Sequence, residues 1–171
     1  MITAIAPGTY DPVTNGHVDV LTRAAGIFDR VVVGVVGSPR HKEPMFAVDE
    51  RVDFLRGALA DCLNIEIDVF RELVVDFARR WDAKAIVKGL RVISDFEWEF
   101  QMNQLNRHLA PDIETIYVMA SSQVSFVSSS GVKEIAAFGG DVSKLVPAPV
   151  AARLAEMFPD GRPGTPERPN D

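Results

Sequence analysis

Four separated segments of this 171-residue chain combine residue types suited to binding anions. In Pro7-Gly8-Thr9-Tyr10-Asp11-Pro12-Val13-Thr14-Asn15-Gly16-His17, two glycines permit close approach of backbone to a ligand, and a helical pattern follows. Free N–H groups at a helix start attract an anion, so His17 stands where a phosphate would bind. Its imidazole could donate a hydrogen bond or, as imidazolium, add charge to oxygens that become more negative in a transition state. Thr14 or Asn15 could cap the same helix. The second segment, Ile86-Val87-Lys88-Gly89-Leu90-Arg91, puts two cations at the end of an apolar run. Arg takes two oxygens and Lys supplies a compact charge, which makes a phosphate-binding edge.

The third segment runs from Val124 through Ser125, Phe126, Val127, Ser128, Ser129 and Ser130, with Lys133 one turn further on. Three successive hydroxyls at a helix start exceed what capping requires and suit phosphate oxygens. The fourth, Ser38 to Phe46, carries Arg40, His41 and Lys42 and would add to a local positive field.

Elements that could hold these segments are visible as alternating patterns. Ile2–Ala6, Val31–Val36, Ile65–Phe70, Ala85–Val87 and Thr115–Met119 read as strands. Between them, Val18, Leu21, Ala25 and Phe28 share one helical face, and Val52, Leu55 and Leu59 share another. The alternation predicts a single-domain, doubly wound α/β fold, a five-stranded parallel sheet with helices on both faces. Strands covered on both sides read as continuous apolar runs, as Val31-Val32-Val33-Gly34-Val35-Val36 does. Ligands of such sheets bind beyond the carboxyl ends of the strands, where all four segments fall. A short amphipathic helix is expected after Pro147. The domain is expected to span 1–158, with 159–171 a Pro-rich, apolar-poor disordered tail.

Composition narrows the function. At 47% hydrophobic and 25% charged, the chain can bury a core without disulfides. A net charge of −6 argues against non-specific nucleic-acid binding, which needs a basic excess. The lone Cys62 forms no intrachain disulfide, and no Cys/His spacing suits zinc. No apolar run approaches the ~20 residues of a membrane span, and the N-terminus reads as a strand and not a signal peptide, so a cytoplasmic location is expected. Trp81, Phe96, Trp98 and Phe100 read as core or subunit-contact groups. Asp95, Glu97 and Glu99 read as a solvated helix face, from which Glu99 could reach a ribose or adenine.

Together the segments resemble the bacterial phosphopantetheine adenylyltransferase family, of the nucleotidyltransferases with a His/Thr-x-Gly-His signature. Besides the segments above, the resemblance rests on Phe-Asp-Arg-Val, Pro-Met-Phe, Lys-Gly-Leu-Arg, Asp-Phe-Glu-Trp-Glu, Asn-Arg-His-Leu, Ser-Phe-Val-Ser-Ser-Ser and Gly-Gly-Asp-Val, and runs from about Ile2 to Leu154. It implies transfer of AMP from Mg-ATP to 4′-phosphopantetheine, giving dephospho-CoA and pyrophosphate, with magnesium arriving on ATP. It also implies a homohexamer and feedback inhibition by coenzyme A. His17, Lys42 and Arg91 would be catalytic. Thr9, Tyr10, His17, Gly89, Leu90, Arg91, Glu99 and Val124 to Ser130 would contact ATP; Thr9, Lys42, Leu73, Val74 and Lys88 would contact the acceptor. The loop carrying Lys42 is one residue longer than the family pattern, so His41 or Lys42 falls at the family's lysine, and Lys42 is taken as the permanent cation. Val124 replaces an aromatic residue frequent at its position. Within the superfamily, nicotinamide mononucleotide or glycerol phosphate are the competing acceptors; a non-catalytic nucleotide sensor is the competing class.

Overall fold

Strands and helices alternate as β1 (Thr3–Gly8), α1 (Asn15–Ala25), β2 (Arg30–Val36), α2 (Val48–Ala58), β3 (Ile65–Phe70), α3 (Val74–Arg80), β4 (Ala85–Leu90), α4 (Ile93–Leu109) and β5 (Glu114–Met119). Two helices, α5 (Ser129–Ala137) and α6 (Ala148–Met157), complete the chain in the computed structural model, which describes residues 1–37 and 43–159. The loop residues Arg40, His41 and Lys42, and the expected tail beyond Pro159, lie outside the described residues. Among those described, no helix is long and apolar enough to cross a membrane.

The five strands form one sheet in the order β3-β2-β1-β4-β5, and every pairing is parallel. Two strands run further than their apolar patterns predict. β1 continues through Pro7 and Gly8, which pair with Gly34 and Val35 of β2. β4 continues through Lys88 and Gly89, which pair with Tyr117 and Val118 of β5. Pro7-Gly8 in β1 and Lys88-Gly89 in β4 end the apolar runs in the sequence, but the neighbouring strands still pair with them.

Alternate strand residues bury on opposite faces. Ala4, Ala6, Val31, Val33, Val35, Ala85 and Val87 face a core closed by Val20, Leu21 and Ala24 of α1, Leu55 of α2, Val132 of α5 and Val150 and Leu154 of α6. Ile5, Val32 and Ile86 face the other way, onto Val75, Phe77 and Ala78 of α3. There the Phe77 ring stacks on Phe70 at 4.5 Å between centroids. The longest helix departs from this order, since none of the described side chains of α4 is fully buried. Trp98 is 67% exposed, and Phe96 and Phe100 are exposed too, so these aromatics are surface groups of the subunit and not core. Trp81, in contrast, rests on the second core and donates its indole N–H to Asp68.

Candidate active site

β1 and β4 lie side by side but pair only through Ala4–Ala85 and Ile5–Ile86. Beyond that point β1 keeps β2 and β4 keeps β5, so the two strands separate. The connections leaving them run to opposite sides of the sheet, which opens a crevice at its carboxyl edge. A cavity of about 370 Å³ fills this crevice, a size suited to a small-molecule ligand. Its walls are Ala6, Pro7 and Gly8 of β1, Val87, Lys88 and Gly89 of β4, and side chains from α1, α4 and the start of α5.

His17 stands on the wall where α1 begins. Thr14 is the N-cap, and its hydroxyl accepts the His17 amide while its own N–H donates to His17 Nδ1 at 3.0 Å. A ring nitrogen that accepts a backbone N–H carries no proton, so Nε2 holds it and is the donor of the ring. Burial, aided by the positive charge of Arg91, pushes the His17 pKa down to about 4. Of the two roles open to His17 from its sequence, neutral donor and imidazolium, the fold selects the neutral donor near pH 7. Tyr10 supports the ring edge-on at 5.1 Å. Its φ of 51° places it in the left-handed region, and its hydroxyl donates to Ala6 O at 2.9 Å, so the phenol is committed to the protein. Burial also raises the Tyr10 pKa well above the ordinary phenol value.

The glycines of this segment make room for protein. A Cβ on Gly8 would meet the Tyr10 ring at 2.9 Å, and one on Gly16 would meet Val124 O at 3.3 Å. Both still line the cavity.

Lys88 and Arg91 reach the cavity from β4 and the turn after it, and each already has a carboxylate partner on α4. Arg91 holds Asp95 through Nε and Nη2, both at 3.1 Å. Lys88 faces Glu99 at 3.4 Å, long for a charge-assisted bond, which is ordinarily about 2.7–2.9 Å. The acidic run on α4 is therefore not merely solvated: Asp95 and Glu99 counter the two cations. Lys133 likewise adds no free charge, because its ammonium sits 2.6 Å from Asp11 Oδ2.

The opposite wall is Val127 with Ser128, Ser129 and Ser130. Ser128 caps α5 by accepting the Gly131 amide at 3.0 Å, and Ser129 Oγ donates to Pro12 O at 2.8 Å. Thr9, Leu90, Val124 and Ser125 lie next to the walls without lining them, and Phe126 is exposed. Leu73 and Val74 stand apart from the cavity at the start of α3, beyond the carboxyl end of β3. Lys42 falls outside the described residues.

Two residues that support this site escaped the sequence reading. Asp11 is buried, and besides Lys133 it accepts the amides of Met45 and Phe46 at 3.0 and 2.9 Å. Burial opposes its ionisation, but Lys133 and the two amides outweigh that and hold its carboxyl below the usual carboxylate range. Arg51, 1% exposed, donates to Thr9 O at 2.7 Å, Val36 O at 3.0 Å and Phe46 O at 3.1 Å. Together they tie the 7–17 segment to both ends of the loop that carries Lys42. Asp11 lay inside a recognised motif, but Arg51 sits in a charged helical run with no local mark of burial.

Residues 5–135 match the family described as Cytidylyltransferase-like. Curated relatives named phosphopantetheine adenylyltransferase include one from Heliobacterium modesticaldum, 48% identical over 94% of this chain and 95% of its own. Others are from Desulforudis audaxviator, 48% identical over 92% and 96%, and from Bordetella petrii, 51% identical over 85% of each. A solved structure from Vibrio parahaemolyticus, provisionally assigned as a nicotinate-nucleotide adenylyltransferase, superposes with a TM-score of 0.67 over 92% of this chain and 93% of that one. At 15% identity that likeness concerns the fold. The parted strands, the capped histidine and this degree of identity converge: the chain belongs to the phosphopantetheine adenylyltransferase family of nucleotidyltransferases.

Proposed function

We propose that the chain transfers AMP from Mg-ATP to the phosphate of 4′-phosphopantetheine, reversibly giving dephospho-CoA and pyrophosphate, the penultimate step of coenzyme A biosynthesis, in the cytoplasm. The observation that carries this reading is the placement of His17 at the capped start of α1, between the cations of β4 and the serines that open α5. An acceptor phosphate is already a nucleophile near neutral pH. Its oxygen forms a bond to the α-phosphorus of ATP as the bond from that phosphorus to the pyrophosphate oxygen breaks, with no covalent enzyme intermediate. The protein's part is alignment and charge neutralisation.

In this reading His17 Nε2–H donates to a non-bridging α-phosphate oxygen as its charge grows. Lys88 exchanges its long contact with Glu99 for the acceptor phosphate. Arg91 and Ser128 to Ser130 meet the β- and γ-phosphates, while Gly89, Leu90, Glu99 and Val124 to Val127 border the nucleotide. Thr9 and Tyr10 adjoin both ligands, Leu73 and Val74 the pantetheine arm, and Lys42 adds a cation from its loop. Magnesium enters with ATP, held by phosphate oxygens and water.

The exposed Phe96, Trp98 and Phe100 support assembly into a homohexamer through α4, and coenzyme A, as the pathway's later product, is proposed as a feedback inhibitor. Pyrophosphate release from ATP, measured with 4′-phosphopantetheine, nicotinamide mononucleotide or glycerol phosphate, tests the acceptor. Release with 4′-phosphopantetheine alone is expected. Preference for another acceptor would reassign the substrate, and release with none would make the protein a nucleotide-binding module.

A further inference from the structure

The carboxyl end of β5 is held by side chains of α1. Asp19, two residues past His17, accepts the Ser121 amide on Oδ2 at 3.0 Å and the Ser121 hydroxyl on Oδ1 at 2.7 Å. Arg23, one turn on, donates to Asp19 Oδ2 at 3.3 Å and to Met119 O at 2.6 Å. Further along the same loop, the backbone of Val124 closes over Gly16, within 3.3 Å of where a Cβ would stand. Val127 O then accepts Arg91 Nη1 at 3.4 Å, and Val127 to Ser130 form the cavity wall. An exposed i,i+4 pair such as Asp19–Arg23 is by itself worth only about 0.3–0.5 kcal/mol. Here the carboxylate also takes both donors of Ser121, a residue more than a hundred positions away, which ties a helix to a loop and not one turn to the next. Burial works against the charge on Asp19, yet the Ser121 hydroxyl and amide and Arg23 outweigh it and keep its pKa below the ordinary value.

We infer that Asp19 is a positioning residue for the nucleotide: through Ser121 it sets the 121–128 loop and the start of α5 at a fixed distance from His17, so that one helix places both the donor and the wall that binds the triphosphate. The inference rests on the adenylyl-transfer reading for the identity of the nucleotide. It assigns Asp19 no contact with substrate.

The test compares Asp19→Ala, Asp19→Asn and Ser121→Ala in the full chain. Loss of charge-assisted hydrogen bonds predicts that Asp19→Ala raises the KM for ATP about tenfold, and the KM for 4′-phosphopantetheine less than about twofold. Asp19→Asn keeps one acceptor oxygen and falls between the wild type and Asp19→Ala. Ser121→Ala keeps the amide bond and raises the ATP KM about threefold, and in the double variant the effects do not add, because both act through one contact. Equal changes in both KM values, an unchanged ATP KM or additive effects would overturn the inference. Should Asp19→Ala not fold, Ser121→Ala decides alone on the ATP KM. Calorimetric titration with Mg-ATP, without acceptor, keeps the two readings separate: a wild type that binds ATP but ignores 4′-phosphopantetheine ends the acceptor assignment, while weakened ATP binding in Asp19→Ala would still uphold the role of Asp19.

Discussion

Helices α1 and α4 both border the cavity, and they are held by different forces. α1 buries Val20, Leu21 and Ala24 in the larger core, is capped by Thr14, and has its first residue tied to Leu145 O and Lys144 O. α4 buries none of its described side chains fully and meets the site through Asp95 and Glu99, the partners of Arg91 and Lys88. Geometry is thus entrusted to the helix fixed by apolar burial, and charge to the helix fixed by ion pairs and a loose edge of aromatics. A donor must hold its place to a fraction of an ångström, whereas a counter-ion has only to be displaced when phosphate arrives.

Breaking the α1 side should cost most. His17→Ala is expected to lower kcat by about 10²–10³ with little change in ATP affinity, as for loss of one preorganised donor. Steady-state rates at saturating ATP check this, and unchanged turnover would remove His17 from the chemistry. Leu21→Ala, on the buried face of α1, should lower unfolding free energy by about 2–5 kcal/mol in urea titration. On the other side, Lys88→Ala should raise the acceptor KM by about tenfold to a hundredfold. The loss exceeds that of the contact alone because Glu99 is left facing the incoming phosphate, so adding Glu99→Gln should recover part of it. The smallest effect is expected from Trp98→Ala. It should change unfolding free energy by less than about 0.5 kcal/mol while reducing the assembled species in sedimentation; an intact assembly would show that α4 is not the contact.

The same contrast explains what could be read in the sequence. β2 was legible as a continuous apolar run, β3 as an alternation of Ile65, Ile67 and Val69 with Glu66 and Asp68, and α1 by apolar positions that recur at helical spacing behind a capping threonine. The order of the strands in the sheet was not, since nothing in Ala85–Val87 says that it lies beside β1. The carboxyl-end segments were recognisable by residue type, but their electrostatic state was not. Lys88, Arg91 and Lys133 read as a free positive field, and the fold supplies Glu99, Asp95 and Asp11 to meet them. Arg91 and Asp95 are four residues apart, but Arg91 precedes Val92, the N-cap of α4, so helical spacing alone does not pair them. Lys88 with Glu99 and Lys133 with Asp11 depend on tertiary structure, as does the burial of Arg51.

α1 presents His17 as a neutral donor through Nε2, and the proton equilibrium of the ring fixes the sign of its pH dependence. In the folded protein the ring protonates at about 4, against an ordinary value of 6.5, so the unfolded chain takes up this proton first as pH falls. The contribution of His17 to stability is therefore complete above pH 6.5 and is lost between 6.5 and 4. Nitrogen-15 NMR of the His17 imidazole in the ligand-free protein measures tautomer and midpoint together. A proton on Nε2 with a midpoint near 4 is the predicted result; a proton on Nδ1, or protonation near 6.5, would contradict it.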